Sequence, residues 1–142
     1  MKPIIPQIIN HVLNEKAIPI YYQEKFGIGG KTYLDVRSFS SALLFLSRGI
    51  IDGSLQFQRE KVNIAGEEYI TNDQLAAKIS QLMGKPYKIK LVDYYDNHSG
   101  HILDSALDIS KLLSLGWKPE SSFDDGLERT ISWWLSNQNW PN

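Results

Sequence analysis

The chain alternates between two kinds of segment, and this alternation constrains its fold more than any other feature. Apolar residues at intervals of three and four predict an amphipathic helix over residues 4–13. Shorter segments rich in β-branched and aromatic residues, 17–22 and 31–36, are typical of strands, and the glycine-bearing segment 27–30 between them predicts a loop. The sequence therefore predicts a mixed α and β fold.

Capping residues predict where the longer helices begin and end. Ser38 can cap a second helix, which stops near Gly49. Thr71 with Gln74 three residues later matches a capping box, and Gly84 is suited to end the third helix that follows.

Two more helices and two more strands complete the prediction. The segment 108–117 predicts a short helix closed by Gly116, and Ser122 can cap a final helix. The segments 61–65 and 87–92 predict short strands. The expected class is mixed α+β, with about five helices and several short strands.

Composition and charge exclude several classes of function. A chain of 142 residues with 42% hydrophobic residues fits a single domain over residues 1–142. The net charge of -1 is scattered along the chain, so no basic surface for nucleic acid is expected. No apolar run approaches the roughly 18 to 20 residues that span a bilayer, so no membrane partner is expected. The chain has no cysteine and no signal-like N-terminus, which makes a cytoplasmic location the default expectation.

The segment VNIAGEEYITNDQL (62–75) has the order of a phosphate-binding loop, with a strand, a glycine and then a helix. A dinucleotide fingerprint needs several glycines, and only Gly66 is present here. Glu67 and Glu68 would also repel a pyrophosphate. These residues favour an ordinary turn between a strand and a helix.

Other polar groups offer weaker alternatives. GIGG (27–30) could cradle a phosphate, but no helix begins directly behind it, which favours a flexible loop. His98 and His101 could offer two metal ligands, but no acidic residue stands at a compelling helical offset from them. Four aspartates could supply a carboxylate pair, although a solvated loop explains them equally well: Asp93, Asp96, Asp104 and Asp108. The residues by themselves predict neither a metal site nor a catalytic site.

Four stretches, taken in order, carry a resemblance to a known family. They are IIPQIINHVLNEKAIPIY (4–21), KTYLDVRSFSSALLFL (31–46), VNIAGEEYITNDQLAAKISQLMGK (62–85) and SGHILDSALDISKLLSLGWKPESSFDDGLERTISWWL (99–135). The chain resembles the C-terminal, substrate-domain portion of extended short-chain dehydrogenase/reductases. In particular, it is similar to the NAD-dependent nucleotide-sugar epimerases and dehydratases of the dTDP-glucose 4,6-dehydratase type. The resemblance implies a fold without the NAD-binding Rossmann core.

The resemblance also implies that the chemistry lies in the other half of such enzymes. There a glycine-rich turn holds NAD, and a tyrosine with a lysine four residues later polarises the sugar oxygen. This sequence has no such turn, and its only tyrosine with a lysine at that spacing is Tyr21 with Lys25, on a predicted strand and loop. We therefore expect no catalytic residue and no bound cofactor in this chain, and no activity from the chain alone.

A ligand site is implied by the same resemblance. The family grips the nucleotide diphosphate with two arginines, whose places are taken here by Lys31 and His98. The family's lysine ahead of the first helix falls on Pro3, and the acid that follows the second strand falls on Ser38. A nucleotide-diphosphate sugar is thus the expected ligand, held by Lys31 and His98.

Two hypotheses of function follow. The chain is either the substrate-binding half of a dehydratase or epimerase, beside a separate NAD-binding subunit, or a non-catalytic assembly module derived from that family. In the family, the strand at 62–65 adds to the sheet of the cofactor domain and the second helix packs against that domain. We therefore expect this chain to form a homo-oligomer or to bind a separate subunit through these surfaces.

Overall fold

The computed structural model describes residues 3–56, 60–94 and 105–137. Among these residues, five helices and five short strands confirm the predicted mixed class. No helix in these ranges is both long enough and apolar enough to cross a bilayer. In chain order the elements are α1 (Ile4–Leu13), β1 (Ile18–Gln23), β2 (Gly27–Ile28), β3 (Gly30–Thr32), α2 (Val36–Ile51), β4 (Tyr69–Thr71), α3 (Asn72–Met83), β5 (Ile89–Asp93), α4 (Ser110–Ser114) and α5 (Phe123–Ser136).

The elements fall into two compact units. The first unit contains residues 1–31, 70–105 and 127–142, so that α1, β1, β2, α3 and β5 belong to it. The second unit contains residues 32–69 and 106–126, with α2 and α4 as its complete helices. Two short strands, β3 and β4, pair with one another as a separate two-stranded sheet.

The first unit is built around a three-stranded sheet in the order β2-β1-β5. β1 runs antiparallel to β2 and parallel to β5, with Ile18 opposite Ile89 and Ile20 opposite Leu91. Both α1 and α3 contact β1, and Ile18 and Ile20 are fully buried. The strands predicted at 17–22 and 87–92 are confirmed.

The first helix, α1, is confirmed and ends in a tight left-handed turn. The Lys16 N–H donates to the His11 carbonyl at 2.9 Å, and the Glu15 N–H donates to the Val12 carbonyl at 3.3 Å. This bond pattern is the Schellman motif, whose left-handed position usually holds glycine. Glu15 occupies it here with a φ of 55°, which is a strained conformation for a residue with a side chain.

The boundaries of α3 are also confirmed. Thr71 and Gln74 form the reciprocal bonds of a capping box, and Gly84 ends the helix with a φ of 62°. Leu75 and Ile79 are fully buried, because they lie on one face of the helix.

The second unit has its own core, formed by α2, α4 and the segments beside them. The short helix predicted at 108–117 is confirmed as α4, closed by Gly116. The Trp117 Nε1–H donates to the Ser41 Oγ at 3.1 Å, so this large indole is buried without losing its hydrogen bond. The core contains buried Ala42, Leu112 and Trp117, with Leu34, Phe45, Leu46, Val62, Ile64 and Leu113 packed against them.

The start of α2 differs from the prediction. Only Lys31 and Thr32 of the predicted strand 31–36 lie in a strand, and α2 already begins at Val36. Its cap is Asp35, whose Oδ1 accepts the Arg37 N–H at 2.7 Å. Ser38 is not the cap, because it lies inside the helix and is fully buried.

The end of α2 lies beyond Gly49, at Ile51. The Leu55 N–H donates to the Gly49 carbonyl at 2.8 Å. A Cβ on Gly49 would lie 2.5 Å from the Leu55 side chain. The glycine therefore makes room for the chain to fold back on the helix, and it does not end the helix.

Two further predictions were wrong. The loop predicted at 27–30 contains β2, because Gly27 pairs with Gln23 and Ile28 with Tyr22. The strand predicted at 61–65 is absent, although Val62 and Ile64 face the core and alternate with exposed neighbours. A strand requires a hydrogen-bonded partner, and none of the described strands pairs with this segment.

The last helix, α5, begins as predicted. The Ser122 Oγ accepts the Asp125 N–H at 3.1 Å, and the Ser122 N–H donates to Asp125 Oδ2 at 3.2 Å. Leu127 and Ile131 are buried on its apolar face. The serine and aspartate satisfy the two orphan donors as in a capping box.

Candidate functional site

Lys31 is the described member of the predicted diphosphate-binding pair. It lies in β3 and is exposed, so its ammonium group is accessible to a ligand. The strand is held in place by a parallel bridge between Lys31 and Ser105, and the Ser105 N–H donates to the Gly30 carbonyl at 3.0 Å. His98 and His101 lie outside the described residues.

The N–H groups of Thr71, Asn72 and Gln74 at the start of α3 already donate hydrogen bonds. The Asn72 N–H donates to the Gly29 carbonyl at 2.9 Å, and the Thr71 N–H donates to the Gln74 Oε1 at 3.0 Å. A phosphate at a helix N-terminus needs free N–H donors. The GIGG segment therefore supplies a carbonyl oxygen that accepts a hydrogen bond from this helix end. An anion cradle would instead supply N–H donors.

Gly66 serves the packing of the backbone. A Cβ at this position would lie 1.9 Å from the Tyr33 carbonyl oxygen, so only glycine allows the two segments to approach. Glu67 and Glu68 next to it are exposed. This geometry explains why the glycine is needed without invoking a nucleotide.

Tyr33 lies beside this contact in the second unit. Its ring centroid is 5.8 Å from that of Phe123, and burial raises the pKa of its phenol to about 12. The phenol therefore keeps its proton at neutral pH. It is a neutral aromatic group there, and it is not poised to act as a base.

Asp35 is a structurally important residue that the sequence did not reveal. Besides capping α2, its side chain lies against the start of α5, where a Cβ on Gly126 would be 2.9 Å from the Asp35 Cβ. The available signal was an aspartate directly ahead of the apolar spacing Val36, Phe39 and Leu43. The neighbouring Tyr33 and Val36 concealed it, because they also fit a strand pattern.

Among the residues that the structure describes, the remaining candidate polar groups do not form a metal-binding cluster. The Asp108 Oδ1 accepts the Ser110 N–H at 2.8 Å, and this bond lowers the pKa of the exposed carboxyl. Asp93 ends β5, whereas Asp96 and Asp104 lie outside the described residues. Within the ranges that the structure describes, no three side chains form a group able to hold a metal ion.

The pair Tyr21 and Lys25 does not form the family's catalytic arrangement. Tyr21 lies in β1 opposite Val92 of β5. Lys25 lies in the turn after this strand, with its Nζ 5.1 Å from the centroid of the Phe26 ring. The expected placement on a strand and a turn is confirmed, so the two side chains do not share a helix.

Each unit contains a cleft lined by described residues. The cleft in the second unit measures about 440 Å³, and its charged lining residues are Arg48, Asp52 and Glu120. The cleft in the first unit measures about 260 Å³ and is lined by residues that include His11 and Lys88. Neither cleft contains Lys31, so neither is the predicted diphosphate site.

A large apolar surface lies on α2. Val36, Phe39 and Leu43 are spaced three and four residues apart, and Ile50 follows seven residues after Leu43. This spacing places the four side chains on one side of the helix. Val36 is 73% exposed and Ile51 is 85% exposed. We call this surface the α2 apolar face: Val36, Phe39, Leu43, Leu44, Ile50 and Ile51. A surface of this kind is typical of an interface.

Comparison with known proteins gives close matches to one kind of enzyme. The dTDP-glucose 4,6-dehydratase of Shigella flexneri is 30% identical over 144 residues, which are 96% of this chain and 37% of that protein. The dTDP-glucose 4,6-dehydratase of Haemophilus influenzae is 31% identical over 147 residues, which are 96% of this chain and 40% of that protein. No family model matches the chain.

Solved structures give the same answer for the fold. The dTDP-glucose 4,6-dehydratase of Bacillus anthracis str. Ames, in complex with NAD, has a TM-score of 0.71 and 28% identity, over 97% of this chain and 40% of that chain. This chain corresponds to the C-terminal portion of an extended short-chain dehydrogenase/reductase of the nucleotide-sugar epimerase and dehydratase family. The predicted resemblance is confirmed.

A solved structure with lower sequence identity has the same fold. The UDP-glucose-4-epimerase of Stenotrophomonas maltophila, with bound NAD and formylated UDP-arabinopyranose, has a TM-score of 0.79 and 18% identity, over 99% of this chain and 42% of that chain. The chain thus spans about two fifths of the length of the relatives that it matches.

Proposed function

We propose that residues 1–142 form the substrate-binding portion of an NAD-dependent nucleotide-sugar 4,6-dehydratase-like or epimerase-like protein. The observation that carries this proposal is the match of 96% of the chain to dTDP-glucose 4,6-dehydratases. The complex of the Stenotrophomonas maltophila epimerase with formylated UDP-arabinopyranose supports a nucleotide-diphosphate sugar as the ligand class.

Lys31 and His98 are the residues proposed to hold the diphosphate. Lys31 is exposed on β3, where its ammonium group can contact phosphate oxygens as a point charge. It lacks the planar fork with which an arginine binds two oxygens at once. We therefore expect this chain to bind nucleotide diphosphates more weakly than an arginine-bearing site would.

We propose that the chain alone does not catalyse the reaction. Hydride transfer requires a nicotinamide held against the sugar carbon, and the placement of Tyr21 and Lys25 does not provide the family's tyrosine–lysine pair. NAD should therefore be bound by another half of the protein or by a separate subunit. The check is to incubate the pure chain with NAD and dTDP-glucose, and any 4-keto product would overturn this part of the proposal.

Two features of the second unit support the proposal that the chain binds an NAD-binding subunit. Its α2 apolar face is exposed, and segment 61–65, which pairs with none of the described strands, has Val62 and Ile64 against the core and exposed residues between them. An extended segment without a partner strand can add to a neighbouring sheet. An NAD-binding subunit or a second copy of this chain would cover the apolar face.

A calorimetric titration with dTDP and UDP tests ligand binding. We expect binding to the unmodified chain and an affinity about fivefold lower for Lys31→Ala, because one charged phosphate contact contributes about 1 kcal/mol. Lys118→Ala is the matched control, since Lys118 is an exposed lysine of the second unit and should not change binding. Failure of the unmodified chain to bind either nucleotide would contradict the substrate-binding proposal.

The second candidate function is a non-catalytic assembly module, which the α2 apolar face favours. Light scattering at micromolar concentration distinguishes it when it is combined with the titration. A stable oligomer that dissociates in Leu43→Lys, together with no nucleotide binding, would favour the assembly module. A monodisperse monomer would count against self-association and leave the separate NAD-binding subunit as the expected partner.

A further inference from the structure

The strand β5 forms one edge of the described sheet in the first unit. The order β2-β1-β5 leaves it with β1 as its partner strand on one side. An edge strand presents a row of backbone N–H and C=O groups that can pair with another chain. The side chains on this strand indicate which kind of chain would fit.

One face of β5 continues the apolar row of the sheet. Ile89 lies beside Ile18 and Leu91 beside Ile20 in the parallel register. Ile18 and Ile20 are buried, whereas Ile89 is 43% exposed and Leu91 is 52% exposed. Tyr87, two residues ahead of Ile89, is also exposed. The helices α1 and α3 contact β1, whereas the side chains of Ile89 and Leu91 on β5 remain exposed.

The other face of this edge carries positive charge. Lys88 and Lys90 alternate with the apolar residues, so both point away from the apolar row. Both lysines are exposed, and among the described residues neither forms an ion pair. The ladder already includes the start of this segment, because the Ile18 N–H donates to the Lys88 carbonyl at 2.8 Å.

We propose that the edge of β5 opposite β1, which has no partner strand among the described residues, binds an extended segment of another protein in which acidic and apolar residues alternate. Its apolar residues would extend the row of Tyr87, Ile89 and Leu91. Its carboxylates would lie opposite Lys88 and Lys90, where cross-strand pairs of opposite charge are favourable. This proposal is independent of the nucleotide site and of the α2 apolar face.

A second copy of β5 fits this edge less well. The antiparallel register centred on Ile89 matches Tyr87 with Leu91, and it places Lys88 opposite Lys90 twice. Like charges directly opposite each other destabilise a strand pair. Charge therefore favours an acidic partner segment over self-pairing.

The test uses two blocked peptides of about six residues, one alternating valine and glutamate and the other alternating valine and lysine. We expect the acidic peptide to bind the full chain and to shift the amide resonances of β5, and the basic peptide not to bind. A version of the acidic peptide with N-methyl groups along one edge should lose binding, because it cannot complete the ladder.

The charge-reversed variant Lys88→Glu/Lys90→Glu provides the complementary binding experiment. Both lysines are exposed, so the variant should fold. We expect its affinity for the acidic peptide to fall about tenfold and its preference to switch to the basic peptide. Lys118→Glu is the control of equal chemistry in the second unit and should change neither affinity.

Three results would overturn the proposal. The first is no binding of the acidic peptide, and the second is binding that N-methylation does not weaken, which would indicate charge attraction alone. The third is a dimer of the unmodified chain in which the β5 amides are protected by a second copy.

Discussion

The helices α1 and α2 make opposite use of their apolar residues. α1 buries large side chains, Ile8, Ile9 and Val12, against the rest of the first unit. The buried residues of α2 are small, Ser38, Ala42 and Gly49, while large ones such as Val36 and Ile51 are exposed. The difference shows that α1 completes its interface within this chain. The α2 apolar face, by contrast, is exposed in the part of the chain that the structure describes, which agrees with the partner interface proposed above.

The sharpest test of this comparison pairs a core position with a position on the α2 apolar face. We expect Ile79→Ala to lower the free energy of unfolding by about 3 kcal/mol, because Ile79 is fully buried in α3 and the change leaves a cavity. Leu43→Ala, at a side chain that is 46% exposed, should cost about 0.5 kcal/mol or less. Urea unfolding of both variants at one protein concentration is the measurement.

An equally large loss for Leu43→Ala at low protein concentration would break the comparison. It would mean that this side chain is already covered within the chain. If the free energy of unfolding rises with protein concentration for the unmodified chain but not for Leu43→Ala, the covering surface belongs to an oligomer.

The next effect concerns Gly66 in the second unit. Gly66→Ala should cost about 3 kcal/mol, because the new Cβ would meet the Tyr33 carbonyl oxygen, and backbone cannot move aside as a flexible side chain can. Gly53→Ala is the control: it also adds a methyl group, and its Cβ would meet nothing within 4 Å. Gly53 has a φ of 80°, so this control should cost about 1 kcal/mol from backbone strain alone.

A small gain in stability is expected in the first unit. Glu15→Gly should raise the free energy of unfolding by about 0.5 to 1 kcal/mol, since glycine adopts the left-handed position of the Schellman motif without strain. Glu15→Ala removes the same charge and keeps the strain, so it should give no comparable gain. Equal gains in thermal unfolding for the two variants would instead implicate the charge of Glu15.

The smallest effect is a pH dependence from Tyr33. Burial disfavours its phenolate and raises its pKa from the ordinary 10 to about 12. The contribution of the buried neutral phenol to the free energy of unfolding is therefore fully present below pH 10 and is lost as the pH rises from 10 to 12. Tyr33→Phe should remove an ionisation near pH 12 from a spectroscopic titration and reduce the loss of stability in that interval. If an ionisation near pH 12 persists in the variant, it does not belong to Tyr33.

Local rules predicted the features that depend on neighbours in sequence. The amphipathic spacing of α1, the capping box at Thr71 and Gln74, and the start of α5 at Ser122 were all correct. Each of these depends on residues within about four positions, so the sequence contains the whole interaction. The same is true of the family resemblance, which rests on four short motifs in order.

The errors occurred where a distant segment decides the structure. Tyr33, Leu34 and Val36 have strand propensity, but Asp35 caps a helix and Gly126 approaches it from α5. The residues 61–65 alternate as a strand does, yet no described strand pairs with them. Propensity cannot anticipate either result, because strand pairing and helix contacts are made by residues far apart in the chain.

The features of the candidate site also divide into those that the sequence indicated and those that only the tertiary structure decided. The sequence alone indicated Lys31, through the family resemblance, and the type of ligand that a cation at that position could hold. Only the tertiary structure decided that the N–H groups at the start of α3 are already bonded and that Gly66 serves a backbone contact. It also decided that the fully buried residues of α2 are small ones, while several of its large apolar residues are exposed. A sequence records the spacing of apolar residues along a helix, but which side is buried depends on the surface that the rest of the chain presents to it.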